Sequence, residues 1–344
     1  MTLSDKVLER LRSGPQEPDL SGTRYRLLER LARGGMGVVY AAQDENLQRR
    51  VALKVLDLPE AAGQAGDLAT RLIREARVLA RLEHPGIVPV HGVGTLADGR
   101  VFYTMKFVEG QRLDKFLETV ASAPDRLRLF LRICDAVAFA HARHVLHRDL
   151  KPANIMVGPF GEVLVMDWGL AKILPEATAE PLSAVDPDAT LFAPDSSSAH
   201  GNDSTKSSVI TGHGTVMGTP GYMSPEQARG EVASLDARSD IFSLGALLRF
   251  MLSQPATGSA APRLDRSLAA ISAKAAAENR DARYGDVQQL SLDVSRYLDG
   301  LPVSARRETI FEKTIRFYRR YRFFILLMLA YLVMRILLLL ILKR

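Results

Sequence analysis

The 344-residue chain has one cysteine, Cys134, and one tryptophan, Trp168. A single thiol excludes a disulfide framework and any multi-cysteine zinc site, and it fits a reducing compartment. No internal repeat is visible. Met1 to Arg12 is mixed in charge and mildly helical, without the apolar stretch of a signal peptide. Most of the chain also lacks net positive charge, although its sequence pI is near 9.4. Residues 306–344 hold ten Lys and Arg against two acids, Glu308 and Glu312, out of 45 basic and 39 acidic residues overall. The first 305 residues therefore carry 35 basic and 37 acidic groups, a net −2. A nucleic-acid-binding surface needs clustered cations on the folded part, so that class is excluded. At 47% hydrophobic the chain has ample material for a core and is too apolar to be disordered.

What is present begins with the tail. Phe323 to Leu342 is a twenty-residue run broken by one charge, Arg335, with fifteen residues that are Leu, Ile, Phe or Val. As a helix it would span roughly the 30 Å hydrocarbon core of a bilayer. Its apolar side chains outweigh the roughly 3 kcal/mol cost of one mid-span arginine. The preceding Lys313–Arg322 stretch carries five positive charges and two tyrosines, as a cytoplasmic membrane border does. The expectation is a single-pass anchor in the cell membrane, with everything N-terminal to it cytoplasmic, the C-terminus outside and anionic lipid as a partner. A buried core helix or an amphipathic surface helix is the alternative. Arg335 is either a contact for an acidic group in another membrane protein or a tolerated passenger.

Residues 13–24 read as a linker. From Tyr25 to about Glu109, short β-type runs surround one helical stretch near Asp67–Leu82; after Gly110 the texture turns helical. Asp125–His144 is the clearest helix, with Leu127, Phe130, Leu131, Cys134, Val137 and Ala138 on one face, so Cys134 reads as core. Pro175 to Ile210 is rich in Ser, Ala, Asp and Pro, with little periodicity.

Two constellations carry chemistry. In Ala32-Arg-Gly34-Gly35-Met-Gly37-Val-Val39, glycines would let a strand–turn–strand backbone approach phosphates closely; taken alone, a Gly-rich hairpin explains it as well. Val51-Ala52-Leu-Lys54 puts a lysine on an apolar strand, where it must snorkel or meet an anion, and Glu75 on the next helix is in a position to pair with it. Both could equally be surface groups. The second constellation is more specific. His147-Arg148-Asp149-Leu150-Lys151-Pro152-Ala153-Asn154 is followed, thirteen residues beyond Asn154, by Asp167-Trp168-Gly169. Asp149 can accept the proton of an attacking hydroxyl and Lys151 can steady a transferring phosphoryl group. Asn154 and Asp167 supply hard oxygen ligands for Mg²⁺.

With these motifs in this order, followed by Gly218-Thr219-Pro220-Gly221-Tyr222-Met223-Ser224-Pro225-Glu226 and Asp240-Ile-Phe-Ser-Leu-Gly245, the sequence resembles the bacterial eukaryotic-type (Hanks-type) serine/threonine protein kinases over about residues 25–300. The resemblance implies an α+β, two-lobed protein-kinase fold: a small β-rich N-lobe over 25–109, a larger helical C-lobe over 110–300, and ATP between them. Residues 1–24 would be an N-terminal extension, 301–322 a basic juxtamembrane segment and 323–342 the transmembrane helix. The cofactors implied are ATP and Mg²⁺, with Mn²⁺ as an alternative. Ala32, Gly34, Gly35, Gly37, Val39, Ala52, Lys54, Met105, Lys106, Phe107 and Val108 would line the ATP site, with Lys54 positioned by Glu75. By the same resemblance Thr219 would contact the Asp149–Lys151 pair, Glu226 would pair with Arg283, and Asp240 would brace the catalytic loop.

Four departures from the family pattern stand out. The first glycine of the phosphate loop is Ala32. The aromatic residue after Asp167 is Trp168 rather than phenylalanine. Between Leu252 and Leu268 there is little room for the family's usual helix, while the activation segment, 167–226, is expanded. Arg148 commonly pairs with a phosphorylated residue in such kinases, and Thr211 and Thr215 are the candidates, with Ser207 and Ser208 behind them. The reading is a membrane-anchored kinase acting on protein Ser/Thr hydroxyls and regulated by autophosphorylation, with a homodimer as one route to phosphorylation in trans. The alternative is a membrane-tethered pseudokinase, a binding or scaffold module.

Overall fold

A computed structural model describes residues 17–34, 37–56, 65–120, 122–168, 171–173, 221–231, 234–255, 264–306 and 321–335. The N-terminal region is a five-stranded antiparallel sheet in the order β1-β2-β3-β5-β4. Its strands are β1 (Tyr25–Gly34), β2 (Gly37–Asp44), β3 (Arg49–Val55), β4 (Val90–Thr95) and β5 (Val101–Lys106); helix α1 (Ala65–Ala80) lies between β3 and β4 in sequence. The two-residue side-chain period of a strand sorts this sheet into two faces. Val51, Leu53 and Val55 of β3 join Phe102 of β5 and Leu20 on the outer face. Ala52 and Leu56, with Tyr103 and Met105 of β5, pack inward against Leu72, Ala76 and Leu79 of α1. Lys54 takes its place in the inward series between Ala52 and Leu56. Buried Leu20 extends the packed N-terminal region to residues before Tyr25.

The second region is built on α3 (Ala123–Ala142), which follows the short β6 (Gln111–Arg112) and α2 (Leu113–Phe116). Leu127, Phe130, Ile133, Cys134, Val137 and Ala140 are all fully buried along α3. After β7 (Val145–Leu146), β8 (Ile155–Val157) pairs with β6 on one side and β9 (Val163–Val165) on the other, and β10 (Lys172–Ile173) pairs with β7. The chain then supplies α4 (Pro225–Ala228), α5 (Ala237–Ser253), α6 (Arg266–Ala275) and α7 (Val287–Leu298). At Gly245 of α5 an added Cβ would stand 2.7 Å from both the Ala275 Cβ and the Ala276 nitrogen, so glycine is what lets α6 pack this closely. Among the described residues no helix lies between α5 and α6; residues 256–263 are outside them.

Arg126 is buried, and among the described residues it has no carboxylate partner. Its guanidinium donates to the carbonyls of Leu117 (3.1 Å), Val120 (2.7 Å), Met251 (2.8 Å) and Gln254 (2.5 Å). It thereby ties the turn after α2 to the C-terminal end of α5. Five donors in one rigid fork make arginine suited to such a junction.

Residues 321–335 form a further helix, α8, with apolar side chains exposed around it, among them Phe323 (77%), Leu327 (64%) and Met328 (73%). No helix of the described residues is long and apolar enough to cross a membrane. Residues 336–342 of the expected span, and 307–320 before it, lie outside the described residues.

Candidate active site

Lys54 is the first element of the site. The β3 alternation sends it inward, and α1 brings Glu75 to meet it: Nζ lies 2.9 Å from Glu75 Oε1 and 3.1 Å from Oε2. Asp167 Oδ1 is 3.1 Å from the same nitrogen, and the Tyr103 hydroxyl donates to Glu75 Oε1 at 2.9 Å. Burial alone would lower the Lys54 pKa, but Tyr103, Glu75 and Asp167 around it hold the ammonium well above its usual value. It is a fixed positive charge at the junction of the two regions. Ala52 pairs with Met105 across β3 and β5, and both are buried beside it. Beyond Met105, Lys106 is exposed and Phe107 and Val108 are half-buried. The β1–β2 hairpin pairs Ala32 with Val39 and Gly34 with Gly37. Gly37 has φ +156°, and an added Cβ there would collide with the Val55 carbonyl. Gly35 lies outside the described residues.

The catalytic loop runs from β7 to the short 3₁₀ turn Pro152–Asn154. Lys151 Nζ donates to Asp149 Oδ2 at 2.7 Å. Asn154 Nδ2 donates to the Asp149 carbonyl (2.9 Å) and to Asp149 Oδ2 (3.1 Å). These bonds fix the Asp149 carboxylate at one oxygen. With its Nδ2 so engaged, Asn154 has Oδ1, a hard acceptor, available for a cation. The Met166 nitrogen donates to the Asn154 carbonyl at 2.8 Å, bringing the segment that carries Asp167 alongside.

Asp167 takes φ +57°, the left-handed region that few non-glycine residues adopt, and its side chain is 51% exposed. Burial pushes its pKa up, but Lys54 overcomes this and holds the carboxyl below the usual range. An ionised Asp167, half exposed, on the segment that Met166 ties to Asn154, fits Mg²⁺, which takes one or two protein oxygens and completes its shell with phosphate and water.

Trp168 is buried and anchors that segment: its ring lies 4.6 Å from the His147 ring, and Nε1 donates to the Val165 carbonyl at 3.3 Å. Trp168→Ala is expected to cost roughly 3–5 kcal/mol, whereas Trp168→Phe, which loses the donor and part of the ring volume, should cost roughly 1–3. Thermal unfolding checks both.

Two buried acids hold the loop in place. Asp240 accepts from the backbone nitrogens of His147 and Arg148, each at 2.8 Å, and its Oδ2 lies 2.8 Å from His141 Nε2. Burial raises its pKa, but the His141 hydrogen bond and the loop amides outweigh this, and it stays below the usual carboxylate value. These bonds hold Arg148 at φ +70°. Gln227 Nε2 donates to the Arg148 carbonyl at 2.8 Å, and Ser224 and Gln227 form a reciprocal cap on α4. Glu226 on the same turn accepts from Arg283 Nη1 (2.7 Å) and Nη2 (2.9 Å), and from Ser239 Oγ (2.9 Å).

Burial pushes the Glu226 pKa up, but Arg283 and Ser239 bring it down to about 2. Its unfolded pKa is near 4.3, so this pair stabilises the fold at neutral pH, and its contribution falls as pH drops from about 4.5 toward 2. The shift corresponds to roughly 3 kcal/mol. Acid titration of unfolding should show a shallower loss of stability in Glu226→Gln than in the wild type across that window.

Thus the structure brings together Lys54, Glu75, Asp149, Lys151, Asn154 and Asp167, and joins Glu226 to Arg283 and Asp240 to the loop. Thr211, Thr215 and Thr219, with Ser207 and Ser208, lie outside the described residues. Sequence reasoning missed Tyr103 as the second partner of Glu75, although its inward register with Met105 was readable from β5. It also missed Gln227 and His141, which act through backbone and carboxylate contacts distant in sequence.

A strand-borne lysine held by a helix glutamate, facing an Asp/Lys/Asn loop and a second aspartate, is the arrangement of a nucleotide-dependent phosphotransferase. The family of protein kinase domains matches residues 25–267, and the chain belongs to the protein kinase family. Among its curated relatives, the serine/threonine-protein kinase PknD of Protochlamydia amoebophila is 33% identical over 315 residues, covering 80% of this chain and 30% of that protein. PknD of Chlamydia trachomatis serovar D is 36% identical over 324 residues, covering 84% of this chain and 33% of that protein. PknD of Chlamydia muridarum is 34% identical over 334 residues, covering 87% and 34% respectively. The chain thus spans about a third of the length of these relatives.

Proposed function

We propose that this chain transfers the γ-phosphoryl group of ATP to Ser or Thr hydroxyls of proteins, from the cytoplasmic side of a membrane in which its C-terminal helix is anchored. The observation that carries the catalytic part is the convergence of Lys54, Asp149, Lys151, Asn154 and Asp167 on one cleft. Lys54, fixed by Glu75, binds phosphate oxygens and stabilises charge as it develops. Asp149 orients the acceptor hydroxyl and takes its proton; Lys151, bonded to it, faces the transferring group. Asn154 and Asp167 would hold Mg²⁺, which supplies charge neutralisation on the phosphates. Transfer is direct and in line, so no chain residue becomes phosphorylated as an intermediate.

The anchor rests on the apolar helix α8, exposed on all sides, and on the basic residues before it, which suit an anionic inner leaflet. Control rests on Arg148, which Asp240 and Gln227 hold in the left-handed region beside Asp149, where it would receive a phosphate on Thr211 or Thr215. Phosphoamino-acid analysis after incubation with γ-labelled ATP and general protein acceptors should give phosphoserine and phosphothreonine; phosphotyrosine alone would overturn the assignment. In membrane flotation the full chain should float with vesicles containing anionic lipid, and a chain ending at Arg306 should remain at the bottom. If both remain at the bottom, the anchor is refuted.

A further inference from the structure

Where the N-terminal sheet meets the helical region, between the end of α1 and the β8–β9 turn, lies a groove of about 860 Å³. Its floor is closed by the buried side chains of Leu79 of α1, Leu82, Ile87 and Leu164, and its accessible apolar surface is that of Pro85, Pro89 and Val90. On its rim stands Phe160, 94% exposed in the turn between β8 and β9. That turn is well held. The Phe160 nitrogen donates to Glu162 Oε2 at 3.1 Å, the Gly158 nitrogen donates to the Glu162 carbonyl at 2.9 Å, Arg132 donates to the Gly161 carbonyl, and Gly161 takes φ +78°. A fully exposed phenylalanine on a firmly bonded turn beside an apolar groove has the character of an anchor for a bound segment.

We propose that the groove is the docking site for the N-terminal segment of this chain, residues 1–16, and that its occupation braces α1. The segment lies outside the described residues, and its sequence supplies a fitting face. Leu3, Val7 and Leu11 recur every four positions, with Asp5, Lys6, Glu9 and Arg10 between them. That is the pattern of a helix laid in a groove, anchored along one stripe. Glu83, Lys106, Arg132 and Glu162 line the groove with charges of both signs, as the segment carries.

The point where the described chain begins supports the same occupant. Arg100 Nη2 reaches the Glu17 carbonyl at 3.5 Å, and Leu20 packs with Leu96 and Phe102. This places the start of the described chain at the far end of β4, an edge strand of the sheet. The near end of β4, Val90, lines the groove. The six residues of β4 cover about 20 Å. A twelve-residue helix of about 18 Å and a four-residue tether of about 13 Å span that distance. Tethering also gives the segment a millimolar effective concentration, so a weak site suffices. Pro85 and Pro89 lie in the connection from α1 to β4, so a segment packed on them braces the C-terminal end of the helix whose Glu75 holds Lys54.

Hydrogen exchange tests this without relying on catalysis, and so separates this proposal from the kinase reading. The full chain is compared with a variant lacking residues 1–16 and with the full-length Leu3→Asp/Val7→Asp/Leu11→Asp variant, which guards against a folding defect of the truncation. Amides of residues 79–90 and 158–164 should exchange about tenfold faster in both variants, with the rest of the sheet unchanged. Added 1–16 peptide should restore protection to the truncated chain, and Phe160→Ser should speed exchange at the same amides with no further change from the triple substitution. Equal exchange in the groove of wild type and triple variant overturns the proposal. Protection that falls when the wild type is diluted, and that the triple substitution leaves intact, assigns the groove to a second copy instead and also overturns it.

Discussion

Asp149→Asn should leave ATP binding within about twofold of the wild type and lower kcat by roughly 10²–10⁴-fold, the range contributed by a positioned general base. The substitution is nearly isosteric. Lys151 at 2.7 Å and Asn154 at 3.1 Å both donate to the carboxylate oxygen Oδ2, and an asparagine can offer a carbonyl oxygen in that place. The loop geometry, set independently by Asp240 on the His147 and Arg148 amides, should therefore survive. What is lost is the base and the negative charge opposite Lys151. The two measurements that check it are calorimetric titration with ATP and steady-state transfer to a protein acceptor. A variant that keeps both affinity and turnover would remove Asp149 from the mechanism.

The second large effect is expected at Lys54. Lys54→Met should reduce kcat/KM by roughly 10²–10³-fold, the loss seen when one preorganised donor to a developing charge is removed. It should also destabilise the fold by roughly 3–5 kcal/mol, because Glu75 is left buried without its cation. Among the described residues, Tyr103 would remain on that carboxylate, at 2.9 Å. The double variant Lys54→Met/Glu75→Gln separates the two consequences. Removing the orphaned charge should recover most of the stability, while activity stays as low as in the single variant. Thermal unfolding of the three variants beside their initial rates checks this. Recovery of activity in the double variant would show that Lys54 acts through folding alone.

How far the sequence carried these conclusions varied with the range of the interaction. β3 could be read as a strand, and its period of two dictates that Ala52 and Lys54 share the inner face. The helix over Ala65–Ala80 and that over Ala123–Ala142 follow from apolar spacing and from Ser122 capping the latter. The Asp149–Lys151–Asn154 cluster is local, so a few residues of tight loop fix its geometry whatever surrounds it. Contacts that depend on how elements pack were not legible. Nothing local in Arg126 distinguishes it from a surface arginine, yet packing of α3 on the end of α5 surrounds it with four carbonyls. Gln227 reaches the Arg148 carbonyl across 79 residues, and His141 meets Asp240 across 99. Such pairings depend on topology, which a single sequence does not encode position by position.

The most direct test of the central claim is turnover. Full-length wild-type protein, purified in detergent or vesicles, is incubated with γ-labelled ATP, Mg²⁺ and a general protein acceptor, with Asp149→Asn in parallel and ATP affinity measured on both. The account predicts multiple-turnover transfer of label to Ser and Thr by the wild type and its near-complete loss in the variant at matched affinity. ATP binding with no transfer by the wild type would contradict it and make the domain a binding module.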